Sequence, residues 1–130
     1  MSNVRVGIIG SGGIAQSVHF PGYKATEGCE IVACCDVFEG TARKAADKFN
    51  VPAVYTDFNE MLRREKLDAV SVCTPNKFHM APTLAALARG VHVLCEKPIA
   101  MNPAEARRMC AAGAYRKRSR VRSASFPRMR

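Results

Sequence analysis

The stretch Val4-Arg5-Val6-Gly7-Ile8-Ile9-Gly10-Ser11-Gly12-Gly13-Ile14-Ala15 decides the fold. An apolar, β-branched run leads into glycines, and the glycines lead into a helix-like segment. The spacing of Gly10, Gly12 and Ala15 fits the dinucleotide fingerprint G-x-G-x-x-G/A. Each position has its own physical reason. Gly10 permits a sharp turn off the strand. Gly12 has no Cβ, so a pyrophosphate can approach the backbone. Ala15 is small enough for the helix to pack close against the strand. The helix start, with Gly13 and Ile14, then presents free N–H groups and the positive end of its dipole to phosphate. The alternative for this stretch is a glycine-rich turn with no ligand.

The remainder of the chain supplies the context this fingerprint needs. A length of 130 residues suits one domain with a real core, and 48% apolar content is ordinary for a soluble protein. No apolar run approaches the ~18 residues of a membrane span. The chain enters its first strand without a basic and apolar leader, so the expectation is a cytoplasmic protein that does not engage membranes. Six cysteines occur and none forms a C-x-x-C pair. Cys34, Cys35, Cys73 and Cys95 lie in apolar, strand-like runs, and read as buried reduced thiols rather than a metal site or disulfide framework. The net charge of +9 is unevenly spread: residues 1–112 carry +2 and residues 113–130 carry +7.

After the glycine turn, Ile14 to Ala25 reads as a helix distorted at Pro21-Gly22, closed off by Gly28. Glu30 to Asp36 is a continuous apolar run ending in a carboxylate, the pattern of a strand buried on both faces. A helix over Thr41 to Phe49 and a strand over Val51 to Tyr55 follow. Asp57 and Glu60 form a capping-box pattern for a helix through about Glu65. Leu67 to Cys73 is a strand, Lys77 to Arg89 a helix ended by Gly90, and Val91 to Cys95 another strand. Pro103 sits in the first turn of a last helix running to about Ala112. Strands and helices alternate five times. The predicted architecture is therefore α/β, a Rossmann-type doubly wound parallel sheet with right-handed crossovers.

In such sheets ligands bind beyond the carboxyl ends of the strands. The residues placed there are Gly10 to Ile14, Asp36, Cys73 to Asn76 and Glu96 to Pro98. Asp36 stands some 20 to 26 residues beyond the glycines, where a carboxylate accepts from both hydroxyls of the adenosine ribose and repels a 2′-phosphate. That favours NAD; Arg43, one turn into the next helix, keeps NADP open. A plain helix cap is the alternative for Asp36. Thr74, Pro75 and Asn76 form a polar loop where ribose and nicotinamide would pass, and Thr74 or Asn76 can equally cap the following helix. His79 opens that helix within reach of the site, whereas His19 and His92 read as packed or surface histidines. Lys97, at a strand end and before a proline, has the position of an acid/base for a substrate hydroxyl; composition alone favours a solvated loop lysine.

The blocks Val6 to Ala15, Cys73-Thr74-Pro75-Asn76 with His79, and Cys95-Glu96-Lys97-Pro98 resemble the signatures of the Gfo/Idh/MocA oxidoreductases, the family of glucose–fructose oxidoreductase and inositol 2-dehydrogenase. The resemblance runs from residue 4 to about 112. It implies NAD or NADP as hydride carrier and a sugar or polyol as substrate. It also implies a role for Glu96 near the nicotinamide ribose and for Lys97 at the reacting carbon. Family members continue into a further strand and a second α/β domain that supplies substrate contacts and the oligomer interface. Residues 113–130 instead run Gly113-Ala114-Tyr115-Arg116-Lys117-Arg118 and on to Arg130, with seven cations, no acid, no apolar run and no period of two. The expectation is a domain at 1–112, truncated before the second domain. A tail at 113–130 would follow, disordered or briefly helical, the product of a frameshift or damaged gene end, leaving the last strand's edge unpaired. Two rival readings accompany this one. The chain is a non-catalytic dinucleotide-binding module, or its tail binds nucleic acid by unspecific phosphate attraction; the second is disfavoured because the tail carries no nucleic-acid motif.

Overall fold

The computed structural model describes residues 3–115 and 121–123, with side chains through residue 113. Six strands form one parallel sheet: β1 (Val4–Ile9), β2 (Cys29–Cys35), β3 (Ala53–Tyr55), β4 (Ala69–Val72), β5 (His92–Cys95) and β6 (Val121–Ser123). Their spatial order is β3-β2-β1-β4-β5-β6, the Rossmann order. Every pairing is parallel. The helices are α1, which begins as a π-type turn (Ala15–His19) and continues as Phe20–Ala25, then α2 (Glu39–Phe49), α3 (Phe58–Arg64), α4 (Met80–Ala88) and α5 (Pro103–Tyr115).

The apolar runs of β1, β2 and β4 are buried on both faces, as continuous apolar strands require. Val6, Ile8, Ile31 and Cys34 pack with Ala15, Phe20, Ala45 and Ala46 of α1 and α2. Ile9, Val32, Val70 and Val93 pack with Met61, Leu87 and Met109 of α3, α4 and α5 on the other side. Phe20 and Phe49 stack with ring centroids 4.9 Å apart and join α1 to α2.

The helix ends follow local chemistry, with three differences from the expected pattern. Asp57 caps α3, accepting from the Asn59 N–H at 2.9 Å, but Glu60 pairs with Arg64 at 3.3 Å instead of closing a capping box. A reciprocal box forms at α5 instead: Asn102 accepts from the Glu105 N–H at 2.9 Å, and Glu105 from the Met101 N–H at 3.0 Å. Helix α1 is not α-helical from its start. Pro21 has no N–H to offer the carbonyl four residues back. The chain takes up the slack just before it, where the Phe20 N–H donates to the Ala15 carbonyl, five residues back. The stretch expected as one helix from Lys77 divides into a 3-10 turn (Asn76–Phe78) and α4, which Gly90 ends at φ +74.

The start of the tail is briefly helical, as expected, since α5 runs to Tyr115. The expectation of an unpaired edge needs correction, because the backbone of Val121–Ser123 pairs with Val93–Cys95. The edge of β5 is therefore covered. Parallel pairing needs only backbone N–H and C=O groups in an extended segment, so a basic, non-alternating sequence does not prevent it. The other tail residues expected to lack structure, 116–120 and 124–130, lie outside the described residues.

Gly10 is the tightest joint of this architecture. Its φ is +89, and a Cβ there would lie 2.7 Å from the Cys73 carbonyl carbon and 2.7 Å from the Thr74 nitrogen. Gly10→Ala is expected to destabilise the chain by at least about 2 kcal/mol. Gly13→Ala, with nothing within 4 Å of the added carbon, is expected to stay within about 0.5 kcal/mol. Urea unfolding of both variants checks this; equal losses would contradict it.

Candidate functional site

A row of backbone hydrogen bonds ties the carboxyl ends of five strands together. Glu96 N–H donates to Val72 at 2.9 Å, Cys73 N–H to Ile9 at 2.7 Å, Gly10 N–H to Cys35 at 2.8 Å, and Asp36 N–H to Tyr55 at 3.2 Å. The turns that leave these strands thus share one edge. A cleft of about 770 Å³ opens there, across the point where the chain order reverses between β1 and β4. Its walls include Gly10, Gly12, Gly13, Ile14, Asp36, Cys73, Thr74 and Pro75, so eight of the residues placed at the strand ends in the sequence converge on it. Val37, Phe38 and Phe78 complete the apolar lining and are more than half exposed.

Gly12 and Gly13 have open space where a Cβ would stand. Ala15 is fully buried and packs with Val6 and Ile8, so its part is to seat the helix, not to touch a ligand. Asp36 is fixed from two sides: Oδ2 accepts from the Ser11 N–H and Oδ1 from the Phe38 N–H, each at 2.9 Å. It therefore braces the glycine turn against the approach to α2 and faces the cleft, but the N-cap of α2 is Phe38, with no side-chain cap bond. Each carboxylate oxygen keeps a lone pair for a further donor. The Ser11 hydroxyl donates to the Cys35 carbonyl at 3.0 Å and locks the glycine turn to β2.

Asn76, His79, Glu96 and Lys97 are not part of the cleft wall. Asn76 is exposed and opens the 3-10 turn. His79 is buried; its Nδ1 lies 2.6 Å from the Pro98 carbonyl and its Nε2 2.8 Å from the Thr74 carbonyl. It ties the two loops together and presents no free ring nitrogen. Thr74 Oγ1 donates to the Phe78 carbonyl at 3.0 Å. Lys97 is exposed and precedes a cis peptide to Pro98.

Glu96 has a neighbour that the sequence reading assigned to packing or surface. His19 is buried, with Nε2 at 2.6 Å from Glu96 Oε2 and Nδ1 at 3.0 Å from Ser71 Oγ. Tyr23 Oη lies 2.7 Å from the same Ser71 oxygen. Burial raises the Glu96 pKa; the hydrogen bonds from His19 and the Lys97 N–H and the charges of His19 and His79 outweigh it and hold the carboxyl below its ordinary value. Two signals pointed to this group. His19 is four residues beyond Ala15, hence on the face the fingerprint presses against the sheet. Ser71 is a hydroxyl inside the apolar run Ala69–Val72.

Cys34, Cys35, Cys73 and Cys95 are buried, as expected. All six cysteines are free, and burial raises the thiol pKa of Cys34 to about 11, of Cys35 to about 12 and of Cys95 to about 11, and that of Cys73 as well. Among the described residues no group of three or more potential ligands is placed to hold a metal, and no helix is long and apolar enough to cross a membrane.

Comparison with known proteins adds the following. The profile of the Gfo/Idh/MocA oxidoreductase family, NAD-binding Rossmann fold, matches residues 4–123. A D-glucoside 3-dehydrogenase of Escherichia coli K12 is 47% identical over 109 residues, which are 84% of this chain and 31% of that protein. The structure of GenD2, from gentamicin A biosynthesis, in complex with NAD superposes with a TM-score of 0.88 at 25% identity, covering 95% of this chain and 34% of that one. A 3-ketoreductase from Actinomadura kijaniata, in complex with TDP-benzene and NADP, gives 0.87 at 28% identity, covering 95% and 37%. The chain thus spans about a third of the length of these proteins.

The lowered Glu96 pKa has a consequence for stability. A carboxyl whose folded pKa lies below its unfolded one stabilises the fold above the unfolded value, and that stabilisation is lost as pH falls through the folded one. Wild type is expected to exceed Glu96→Gln in stability at neutral pH, and the gap to close as pH drops below about 4. Urea unfolding of both proteins across that range measures it; a gap that is constant or grows in acid contradicts it.

Proposed function

Since the chain belongs to the Gfo/Idh/MocA oxidoreductases, we propose that it is the dinucleotide-binding part of a dehydrogenase acting on a carbinol carbon of a sugar or polyol. One observation carries the reading. The open cleft at the β1/β4 switch point is floored by glycines without Cβ atoms and flanked by an anchored carboxylate. These residues fit a nicotinamide dinucleotide. When bound, the nicotinamide supplies the acceptor for the substrate's hydride.

The chain's own residues then divide the work. Gly10 turns the backbone, and Gly12, Gly13 and Ile14 present N–H groups to the pyrophosphate. Ala15 keeps that helix start close to β1. Asp36 accepts from the adenosine ribose hydroxyls and disfavours a 2′-phosphate, hence NAD over NADP. Thr74, Pro75 and Asn76 shape the passage to the nicotinamide half, with His79 holding their loop against Pro98. Glu96 orients the nicotinamide ribose. Lys97 Nζ holds the substrate hydroxyl and, as the neutral amine, takes its proton as the carbon is oxidised. Lys97 is exposed, so this chain by itself encloses a substrate poorly and turns over slowly or not at all. The six free cysteines support a reducing compartment, the cytoplasm.

Titration of the purified chain with NADH, followed by nicotinamide fluorescence, tests the reading. Wild type is expected to bind saturably. Gly12→Ala, whose added carbon meets no protein atom within 4 Å, is expected to keep its stability and to lose at least about tenfold in affinity, because the methyl occupies the phosphate's approach. NADPH is expected to bind more weakly than NADH, and Asp36→Ala to narrow that difference. An unaltered affinity in Gly12→Ala contradicts the assignment of the turn.

A further inference from the structure

We propose that His19 is a positioning residue of the nicotinamide end: it fixes the Glu96 carboxylate through Nε2, and Ser71 and Tyr23 fix the ring that does so. The inference rests on the reading above that Glu96 serves the dinucleotide's nicotinamide half, and it assigns a task to three residues outside the fingerprint, the proline loops and the cleft wall.

The Nε2 to Oε2 distance is 2.6 Å, just under the roughly 2.7–2.9 Å of a charge-assisted N–H···O bond, and both side chains are sheltered, with side-chain exposures of 3% and 14%. The ring has no other freedom. Its Nδ1 lies against Ser71 Oγ at 3.0 Å, Ser71 is fully buried, and the Tyr23 hydroxyl closes the row at 2.7 Å. With a neutral ring every atom is satisfied in one direction. Tyr23 Oη donates to Ser71 Oγ, Ser71 donates to Nδ1, and Nε2–H donates to the carboxylate. A protonated ring keeps the same Nε2–H on Glu96. In both cases the bond is directed at Oε2, and Oε1 accepts from the Lys97 N–H at 3.2 Å. The carboxylate is thus held between α1 and the backbone of Lys97.

The placement follows from the fold. Ala15, His19 and Tyr23 are spaced by four residues on α1, so the face that seats the helix on β1 also carries the imidazole and the phenol. Ser71 stands in β4, directly beside β5, whose end delivers Glu96. The groups that face the Glu96 carboxylate are His19 from α1, His79 from the start of α4, the Lys97 N–H, and the thiols of Cys73 and Cys95. Of the two imidazoles, His79 spends both ring nitrogens on the Pro98 and Thr74 carbonyls. Only His19 bonds the carboxylate itself. A desolvated carboxylate without that donor would lose its orientation and part of its charged character.

The test uses the full chain with 13C-labelled glutamate, the Glu96 carboxyl resonance being the one absent from Glu96→Gln. In His19→Leu its titration midpoint is expected to move upward relative to wild type. In His19→Gln, which keeps an N–H donor, it is expected to return towards wild type. Ser71→Ala leaves the imidazole in place, removes only the hydroxyl that orients it, and is expected to shift the midpoint in the same direction by less. It also serves if His19→Leu does not fold. Binding is read in parallel with NADH and with ADP, which fills only the adenosine half. NADH affinity is expected to fall about tenfold in His19→Leu, with ADP unchanged. An unmoved Glu96 midpoint overturns the positioning role, as does an equal loss for NADH and ADP. A wild type that binds NADH no more tightly than ADP, with the midpoint moving as expected, overturns the nicotinamide reading and leaves the His19–Glu96 pair established.

Discussion

Where the chain leaves β1, its backbone passes so close to the turn after β4 that no side chain fits between them. Gly10 lies against the Cys73–Thr74 peptide at a distance that a Cβ would reduce to 2.7 Å. This contact brings the two turns flanking the switch point into one edge. The hydrogen bonds from Glu96, Cys73, Gly10 and Asp36 to the neighbouring strand ends extend the same alignment across the sheet. Everything the site needs is delivered by strands that end level with one another. The cleft is a consequence of that alignment, because helices on either side of the reversal diverge and leave space above the strand ends.

Two chemically distinct regions share the edge. The cleft side is open, apolar and lined by Val37, Phe38 and Phe78, with Asp36 the one anchored charge that the cleft wall shares with the glycine turn. The far side is closed and polar. There Glu96, His19, Ser71 and Tyr23 form a continuous row of hydrogen bonds, and His79 clamps the two proline-containing loops. The division suits a ligand with an aromatic end that needs surface and a reactive end that needs fixed orientation.

Much of this was legible in the residues because the determining features are local. A glycine that must turn, a small residue that must pack and a carboxylate ending an apolar strand each announce their position without knowledge of the rest of the chain. The parallel pairing followed from alternation of strands and helices; the strand order is seen only in the fold. What stayed hidden depended on distant partners. His79 looked like a reaching side chain, and only the fold shows both of its nitrogens committed to backbone carbonyls. His19 looked like packing because its partner Glu96 lies 77 residues away. Strand β6 was missed because its pairing with β5 is a matter of backbone groups, which composition does not register. The π-type start of α1 arose from the missing N–H of Pro21, a feature read in the sequence as a break and realised as a change of register.

We propose that one edge of this sheet receives a nicotinamide dinucleotide along its whole length. Backbone amide shift mapping of the 15N-labelled chain during addition of NADH addresses it most directly. Coherent shifts are expected at Gly12 and Gly13, at Asp36, at Thr74 and at Glu96 and Lys97, with the amino ends of the strands undisturbed. Shifts confined to the amino-terminal edge, or no shifts at saturating NADH, would contradict it.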